Sequence, residues 1–398
     1  MTAYYAILHL FVDGICALAM FGAFIPREDG YFSILLYNFC AFALQMPFGV
    51  ILDALYLAAG KRQGDGRKRG WKWQEADIAF LTAAAGVACT IAGAVSHPIV
   101  LGVGNALFHV GGGVGTIRED FSKGWKGKGL GVFVAPGAFG LYLGTLAGKN
   151  GLWREYFWAA GILAALLCLG MAGRGSCLLM AASRKAGKKE GGFGMAASRK
   201  AGKKRGCFGI IASREAGRKE GRFGMDAPKS GAGSKGKYFS VTACCFAVVV
   251  LRSYLGMSVT FPWKAGAAAG MCSVLALVFG KMAGGFWAAG ERSGKAAAAS
   301  LGLAALCYLF SDVMPIGLAA LFFFNMTMPI TLYWMACCYP KMPGLAFGLL
   351  TFALFLGFLP GYFGILPEIA GNVLGCAGSL VSLAFLLVIV IGKGIGRE

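Results

Sequence analysis

Apolar stretches of about twenty residues recur along the whole chain and are separated by short polar connections. A helix needs about 20 apolar residues to cross the hydrocarbon core of a bilayer. Only 14% of the 398 residues are charged and 57% are hydrophobic, whereas roughly a quarter of the residues in soluble domains are charged. No series of short alternating segments indicates a membrane β-barrel. The sequence therefore predicts an all-α polytopic membrane protein, because helices and closed barrels alone satisfy the backbone in lipid.

The apolar stretches predict twelve transmembrane helices in two pseudo-symmetric six-helix halves. The halves, 1–173 and 238–398, are joined by a polar segment, 174–237. The run from Phe48 to Arg62 in helix 2 is similar to the run from Phe279 to Arg292 in helix 8, which indicates an internal repeat. The predicted helices lie at 3–25, 32–56, 77–96, 98–116, 129–148, 153–173, 238–260, 266–290, 296–313, 315–338, 343–366 and 370–392.

The net charge of +20 is concentrated in the central segment and in loops on one side of the predicted bundle. The loop after helix 2 contains Arg67, Lys68 and Arg69, and the loops after helices 4 and 8 are also basic. Cytoplasmic loops carry an excess of Lys and Arg, so we predict an inner (cytoplasmic) cell-membrane protein with both termini in the cytoplasm. The first apolar run lacks the features of a signal peptide and is predicted to be a retained helix. We expect no nucleic-acid partner, because the positive charge of the loops is explained by its role in orienting the helices in the membrane.

The central segment 174–237 contains tandem copies of a fifteen-residue repeat, at 180–194 and 195–209, with a diverged third copy at 210–224. It has 17 basic and 4 acidic residues. Segments rich in Gly, Ala, Ser and Lys bury too little apolar area to fold, so we predict a disordered cytoplasmic linker. Binding of anionic lipid headgroups by this basic segment is the alternative function.

The 13 cysteines lie mostly inside the apolar runs. In that setting they are typical small buried hydrophobic residues. Their spacing matches neither a Cys/His metal motif nor a disulfide framework. We therefore expect no metal ion and no cofactor.

Two glycine motifs, together with the two sets of six helices, resemble the major facilitator superfamily. Gly49-x-x-x-Asp53, followed by the basic cluster that includes Arg67, Lys68 and Arg69, is similar to the loop motif between helices 2 and 3 of that family. The resemblance implies that the glycine allows close helix approach and that the acid braces the two halves. Ala54 stands where the family usually has Arg or Lys, and Gly284 replaces the acid in the second half.

Helix 5 contains Pro136-Gly137-x-x-Gly140-x-x-x-Gly144, which resembles the motif of the drug/proton antiporters of this superfamily. Glycines at this spacing expose a smooth backbone on which a neighbouring helix can slide. Within the superfamily, His9 and Asp13, Phe108-His109 and Arg252-Ser253 are similar to the fosmidomycin-resistance-like exporters.

Four ionisable residues lie inside the apolar runs, where charged groups are costly and usually face a cavity or a partner. His9 and Asp13 are four residues apart and share one face of helix 1. With His109 in helix 4 they are predicted to couple protons, because an imidazole beside a carboxylate can exchange a proton near neutral pH. The alternatives are a hydrogen-bonded pair that fixes helix packing for His9 and Asp13, and an interhelical hydrogen bond for His109.

Arg252 lies about midway along helix 7, the first helix of the second half. Its planar guanidinium suits a carboxylate or phosphate, which predicts binding of a substrate anion. An internal salt bridge to Asp13 is the alternative. Asn105 and Asn325 are further candidates for substrate binding. Lys281, near the end of helix 8, can extend its amine to the membrane surface and is weaker evidence of a site.

These residues and the resemblance predict a secondary active transporter that alternates access to a central site. The predicted substrate is a small organic anion or an amphipathic drug-like molecule, with proton coupling, and export is favoured by the helix 5 motif. We expect a monomer whose partners are the substrate, protons and the bilayer. One alternative is a non-transporting lipid-handling or sensory relative with the same fold. The other is a membrane-embedded acyltransferase-like enzyme, which the depth of His9 and Asp13 and the lack of a nucleophile motif argue against.

Overall fold

The structure, a computed structural model, describes residues 1–64, 75–153, 155–156, 158–171, 232–288, 293–365 and 369–393. Met1–Leu167 and Lys237–Glu398 pack into one compact unit. The second unit, Cys168–Gly236, lies almost entirely outside the described residues, and so do the fifteen-residue repeats. The predicted boundaries at 173 and 238 and the predicted linker therefore stay predictions.

In the part of the chain that the structure describes, twelve helices are present and every regular element is helical. Nine of them are long and apolar enough to cross a membrane, and α3, α6 and α9 have shorter apolar stretches. The predicted fold class is confirmed. In chain order the helices are α1 Thr2–Phe24, α2 Gly30–Ala59, α3 Glu75–Ala94, α4 Pro98–Lys123, α5 Lys128–Lys149, α6 Trp158–Met171, α7 Ala232–Ser258, α8 Gly266–Trp287, α9 Ser293–Leu309, α10 Met314–Cys338, α11 Pro343–Tyr362 and α12 Gly371–Lys393.

Three helices are irregular, and the irregularity of α10 lies at a polar group described below. α1 ends in a π-helical turn, Met20–Phe24, and α2 contains another, Phe39–Ala43. Single π-helical turns insert one residue into a helix and are frequent at functional sites. α10 consists of two segments, Met314–Asn325 and Thr327–Cys338, so Thr327 opens its second segment at mid-membrane depth.

Glycines on α5 allow this helix to pack very closely on α1. A Cβ atom at Gly140 would overlap the carbonyl of Leu10, and one at Gly144 would overlap the carbonyl of Gly14. Small residues that let backbones approach are the usual means of packing helices in lipid, where apolar side chains gain little from association. The glycine motif of helix 5 thus forms the face on which α1 lies, and its role in conformational change stays a prediction.

The two halves meet along two helix pairs, α2 with α11 and α5 with α8. Gly49 packs against Gly344 in the first pair, and Gly131 packs against Gly285 in the second. Both contacts lie at the end of the bundle where α1 begins, which we call the Asp53 end. The opposite end, where α2 begins and α11 finishes, is called the Tyr31 end.

Candidate functional site

Three side chains from α1 and α4 form a polar cluster within the apolar first half, which we call the His9–Asp13–His109 cluster. The His9 Nε2 atom lies 3.1 Å from one carboxylate oxygen of Asp13, and His109 Nε2 lies 3.6 Å from the other. His9 and Asp13 share one helix face, as their spacing predicts. At 1.5 Å per residue, Asp13 is about 16 Å along α1 from Thr2, which is close to the middle of a bilayer core.

Backbone carbonyls fix the orientation of both imidazoles. His9 Nδ1 lies 2.7 Å from the carbonyl oxygen of Phe133, and His109 Nδ1 lies 2.9 Å from that of Asn105. A carbonyl oxygen can only accept, so both Nδ1 atoms must carry hydrogen. In a neutral imidazole the other nitrogen then has a lone pair. Each Nε2 atom therefore points an acceptor into the cluster unless the ring is charged.

Four acceptor atoms converge in the His9–Asp13–His109 cluster: the two Nε2 atoms and the two carboxylate oxygens of Asp13. The Nε2 atoms are only 2.8 Å apart, which is the length of an N–H···N hydrogen bond. That contact is attractive only if one ring holds an additional proton. An extra proton between the two rings would satisfy this contact, and it would lie next to a carboxylate inside the membrane-spanning part of the molecule.

Among the described residues, these three also form a group that could hold a metal ion. Their possible ligand atoms lie within 4.8 Å of one another. Two nitrogens bound to one Zn²⁺ at about 2.0–2.1 Å in tetrahedral geometry would be about 3.4 Å apart. The Nε2 atoms are closer than that, so the observed geometry fits a shared proton better than a bound metal.

Asn105 and Gly137 complete the surroundings of the cluster. The Asn105 amide donates to Asp13 at 3.2 Å and lies 3.5 Å from the Cys16 sulfur. A Cβ atom at Gly137 would overlap His9 Nε2 and lie 2.5 Å from Asp13. Glycine at this position of the helix 5 motif thus leaves the space that the cluster occupies. Asn105 thus bonds to the cluster in the structure, and its contact with substrate stays a prediction.

Arg252 is the principal polar group at the same depth in the second half, and its side chain is only 8% exposed. Its terminal nitrogen donates to the Thr327 hydroxyl at 2.6 Å, and that hydroxyl donates to the carbonyl of Phe324 at 2.8 Å. The Nε–H of Arg252 has no partner among the described residues. Asp13 is paired with the two imidazoles, so the alternative of a salt bridge between Arg252 and Asp13 is not formed in this arrangement.

Lys281 of α8 is within electrostatic range of both groups. The charges of both Asp13 and Arg252 act on its amine, and the charge of Lys281 acts on His109. The side chain is partly buried, and no carboxylate of the described residues forms an ion pair with it. The sequence indicated only that Lys281 can reach the membrane surface. Gly131 of α5 packs against the Lys281 carbonyl, a contact that no residue pattern in α8 predicts.

Asn325, the other predicted substrate ligand, donates its amide to the carbonyl of Leu321 in its own helix, at 2.8 Å. Asn325 is buried, and among the described residues its amide bonds within its own helix and not to Arg252. Its role in substrate binding stays a prediction.

At the Asp53 end, a carboxylate of the first half accepts hydrogen bonds from backbone N–H groups of the second half. Both oxygens of Asp53 accept backbone N–H bonds, from Gly344 at 3.0 Å and Leu345 at 2.8 Å, a contact we call the Asp53 clamp. A carboxylate at a helix N-terminus satisfies free N–H groups and interacts favourably with the helix dipole. The Arg118 guanidinium lies 3.5 Å over the Tyr56 ring, and its charge acts on Asp53.

Ala54 lacks the positive charge that the family usually has next to the acid. Arg118 of α4 therefore supplies a positive charge to Asp53 instead. The predicted basic residues Arg67, Lys68 and Arg69 lie outside the described residues. The N-terminus of α5 is satisfied differently, from its own half. Asp120 accepts N–H bonds from Gly127 at 2.7 Å and Gly129 at 2.8 Å.

The Tyr31 end is closed by a pair of tyrosines that the sequence did not single out. The Tyr31 hydroxyl donates to the Tyr362 carbonyl at 2.7 Å, and the Tyr362 hydroxyl donates to the Tyr31 carbonyl at 3.1 Å. Their rings stack with centroids 4.3 Å apart. The α2–α11 pair is thus bonded at both ends in this arrangement.

The fold is similar to that of solved transporter structures. A single-residue variant of the Escherichia coli fucose:proton symporter covers 100% of this chain and 98% of its own, at 11% identity and a TM-score of 0.52. A major facilitator superfamily transporter in the outward conformation, FucP, covers 100% of both chains at 12% identity and a TM-score of 0.50. The human organic anion transporter MFSD10 covers 97% of this chain and 98% of its own, at 14% identity and a TM-score of 0.52.

No protein-family model matches the sequence, and no curated protein sequence does. The structural likeness nevertheless extends over the full length of the chain. The chain therefore has the major facilitator superfamily fold and is a multi-pass membrane protein. The resemblance to fosmidomycin-resistance-like exporters stays a prediction.

Proposed function

We propose that the chain is a secondary active transporter that couples protons to a small organic anion or an amphipathic drug-like molecule by alternating access. The fold supports a transporter rather than an enzyme. The observation that carries the proposal is the 2.8 Å contact between His9 Nε2 and His109 Nε2, beside Asp13. A carboxylate and two imidazoles that can take up and release a shared proton at mid-membrane depth are suited to proton coupling.

The two halves divide the chemistry between them. The first half provides the proton site in the His9–Asp13–His109 cluster. The second half provides Arg252, whose guanidinium is oriented by Thr327 and retains unpaired N–H capacity for an anion. Because the cluster lies in the first half and Arg252 in the second, a rocking motion of the halves can change the exposure of both together.

Orientation and direction are also part of the proposal. The basic loops support an inner-membrane protein with both termini in the cytoplasm, which puts the Asp53 end on the cytoplasmic side. The helix 5 motif, which lies against α1 in the structure, favours export. We propose that the protein acts as a monomer, because the cluster and Arg252 both lie within one chain.

Replacing Asp13 with Asn tests the coupling. Asn keeps the shape and the hydrogen bond to Asn105 but cannot release a proton. A ligand is first identified by screening metabolites and drugs for an increase in the melting temperature of the purified protein. In proteoliposomes the Asp13→Asn variant should still exchange this ligand across the membrane and lose accumulation driven by a pH gradient.

The matched control is Asp312→Asn, because Asp312 is exposed in the loop between α9 and α10. This control should behave as wild type in both assays. If the Asp13→Asn protein still concentrates ligand when a pH step is imposed, Asp13 is not the coupling group. If exchange also fails, Asp13 has a packing role or binds the ligand directly.

A further inference from the structure

A run of glycines in α4 lies next to the cluster and leaves a gap in the surface of that helix. The run is Gly111-Gly112-Gly113-Val114-Gly115. Glu119 accepts a hydrogen bond from the backbone N–H of Thr2, so α4 finishes at the Asp53 end, where α1 begins. Gly113 follows His109 by four residues, and the two therefore share one helix face, with Gly113 one turn nearer the Asp53 end. Whatever covers Gly113 thus lies between the His109 imidazole and that end of the bundle.

Two aromatic rings of the first half cover part of this glycine run. A Cβ atom at Gly112 would lie 3.0 Å from the Phe133 ring. A Cβ atom at Gly115 would lie 2.8 Å from the Tyr5 ring. Both aromatic residues are fully buried, and the Phe133 ring also lies beside the His9 ring, with centroids 4.9 Å apart. These two rings belong to the same half as the cluster and move with it.

The third ring that covers the glycine run comes from the second half. Phe347 of α11 packs on Gly113, where a Cβ atom would lie 2.6 Å from the Cε2 atom and 2.8 Å from the Cζ atom of the ring. Phe347 is buried, and it follows Gly344, which donates its N–H to the Asp53 clamp, by three residues. Because Phe347 moves with α11, separation of the halves at the Asp53 end withdraws its ring from Gly113 and leaves the other two rings in place.

We propose that Phe347 controls the access of water and protons from the Asp53 end to the His9–Asp13–His109 cluster. The contact of its ring with Gly113, which we call the Phe347 seal, closes the cluster off from that end. When the ring is withdrawn, the imidazoles can exchange protons with solvent there. Phe347 is a positioning residue, since it acts through the water that it excludes. The inference rests on the proposed transport function and assigns the residue that controls when its proton site can exchange.

Deuterium exchange at the ring carbon between the two nitrogens of a histidine tests the Phe347 seal, because water must reach the ring for exchange to occur. The chain has three histidines, which mass spectrometry of peptides separates. His9 and His109 report on the cluster. His97 is exposed in the loop between α3 and α4 and serves as the internal reference. The measurement uses purified protein in lipid nanodiscs at neutral pH, without substrate.

Three variants change the Phe347 seal in different ways, and two controls leave it intact. Phe347→Ser removes the ring and gives water a polar partner in the gap. Gly113→Ala keeps the ring and places a methyl group where the ring packs. Phe347→Leu keeps an apolar side chain in the gap. The controls are Phe352→Ser, because Phe352 packs against Phe246 within the second half, and Gly302→Ala, because a Cβ atom there meets open space.

In Phe347→Ser and Gly113→Ala, exchange at His9 and His109 should rise at least about tenfold over wild type, equivalent to about 1.4 kcal/mol in the cost of exposing the cluster. His97 should exchange at the wild-type rate in every variant. Phe347→Leu should keep exchange at the cluster slow, since an apolar side chain again excludes water. Both controls should match wild type at all three histidines.

Wild-type exchange at His9 and His109 in both Phe347→Ser and Gly113→Ala would overturn the proposal, and so would equally fast exchange in Phe352→Ser. Neither measurement depends on transport. Coupled accumulation by wild type, together with unchanged exchange in these variants, would reject the Phe347 seal alone. Faster exchange in the variants of a protein that shows no coupled accumulation would reject the transport function and retain the seal.

Discussion

Replacing Asp53 with Asn tests how firmly the halves are held together at the Asp53 end. In the Asp53 clamp, both carboxylate oxygens accept N–H bonds from the first residues of α11. Asn keeps one acceptor, presents an NH₂ group to the other N–H, and removes the negative charge from the helix N-terminus. The substitution therefore removes about half of the contact without changing its shape.

The magnitude follows from the geometry of the Asp53 clamp. A hydrogen bond to a charged group contributes about 1.5–3 kcal/mol, and a negative charge at a helix N-terminus contributes about 0.3–1 kcal/mol. Losing one charged bond and the charge should destabilise the closed arrangement by about 2–4 kcal/mol. At 1.4 kcal/mol per factor of ten, opening becomes about 30- to 700-fold more frequent.

Hydrogen–deuterium exchange of the backbone amides of Gly344 and Leu345 measures this opening directly, because exchange reports local opening free energies. Both amides should exchange faster in Asp53→Asn by about the factor given above. Asp120→Asn is the matched control, since Asp120 makes the same type of contact within one half. It should accelerate the amides of Gly127 and Gly129 and leave those of Gly344 and Leu345 at wild-type rates. Wild-type exchange of Gly344 and Leu345 in Asp53→Asn would refute the role of the clamp.

Two further predictions concern the cluster and the topology. Gly137→Ala should abolish the scalar coupling across the N–H···N bond between the two imidazoles in ¹⁵N-histidine NMR spectra, because its Cβ atom would overlap His9. The control Gly256→Ala should preserve the coupling, because a Cβ atom there meets open space. Persistent coupling in Gly137→Ala would show that the cluster can move aside. A membrane-impermeant thiol reagent should label Cys207 only after cells are opened, and labelling in intact cells would contradict the proposed orientation.

The positions of the helices could be predicted from the sequence, because a membrane-spanning helix needs a length of apolar sequence that few other structures share. α8 begins at Gly266 and α11 at Pro343, at the residues where the apolar runs begin. The proximity of His9 and Asp13 was also predictable, since four residues make one helical turn. These features depend on neighbours along the chain.

The remaining features depend on contacts between helices that are distant in sequence. The carbonyl of Phe133 that orients His9 comes from α5, and nothing in α1 indicates it. The packing of Gly131 on the Lys281 carbonyl could not be predicted for the same reason, because it joins α5 to α8. The stack of Tyr31 on Tyr362 joins residues that are 331 positions apart. Aromatic residues are common at any membrane boundary, so their presence in the sequence does not indicate this pairing.

The two helix N-termini at the Asp53 end differ in when their acceptors are synthesised. The acceptor for α5, Asp120, precedes Gly127 by 7 residues, so this end can be completed as soon as it leaves the ribosome. The acceptor for α11, Asp53, precedes Gly344 by 291 residues and belongs to the half that is made first. During translation the first half can therefore fold with its own helix ends satisfied and wait in the membrane. The second half becomes complete only on docking against it, which makes the order of synthesis part of how this protein assembles.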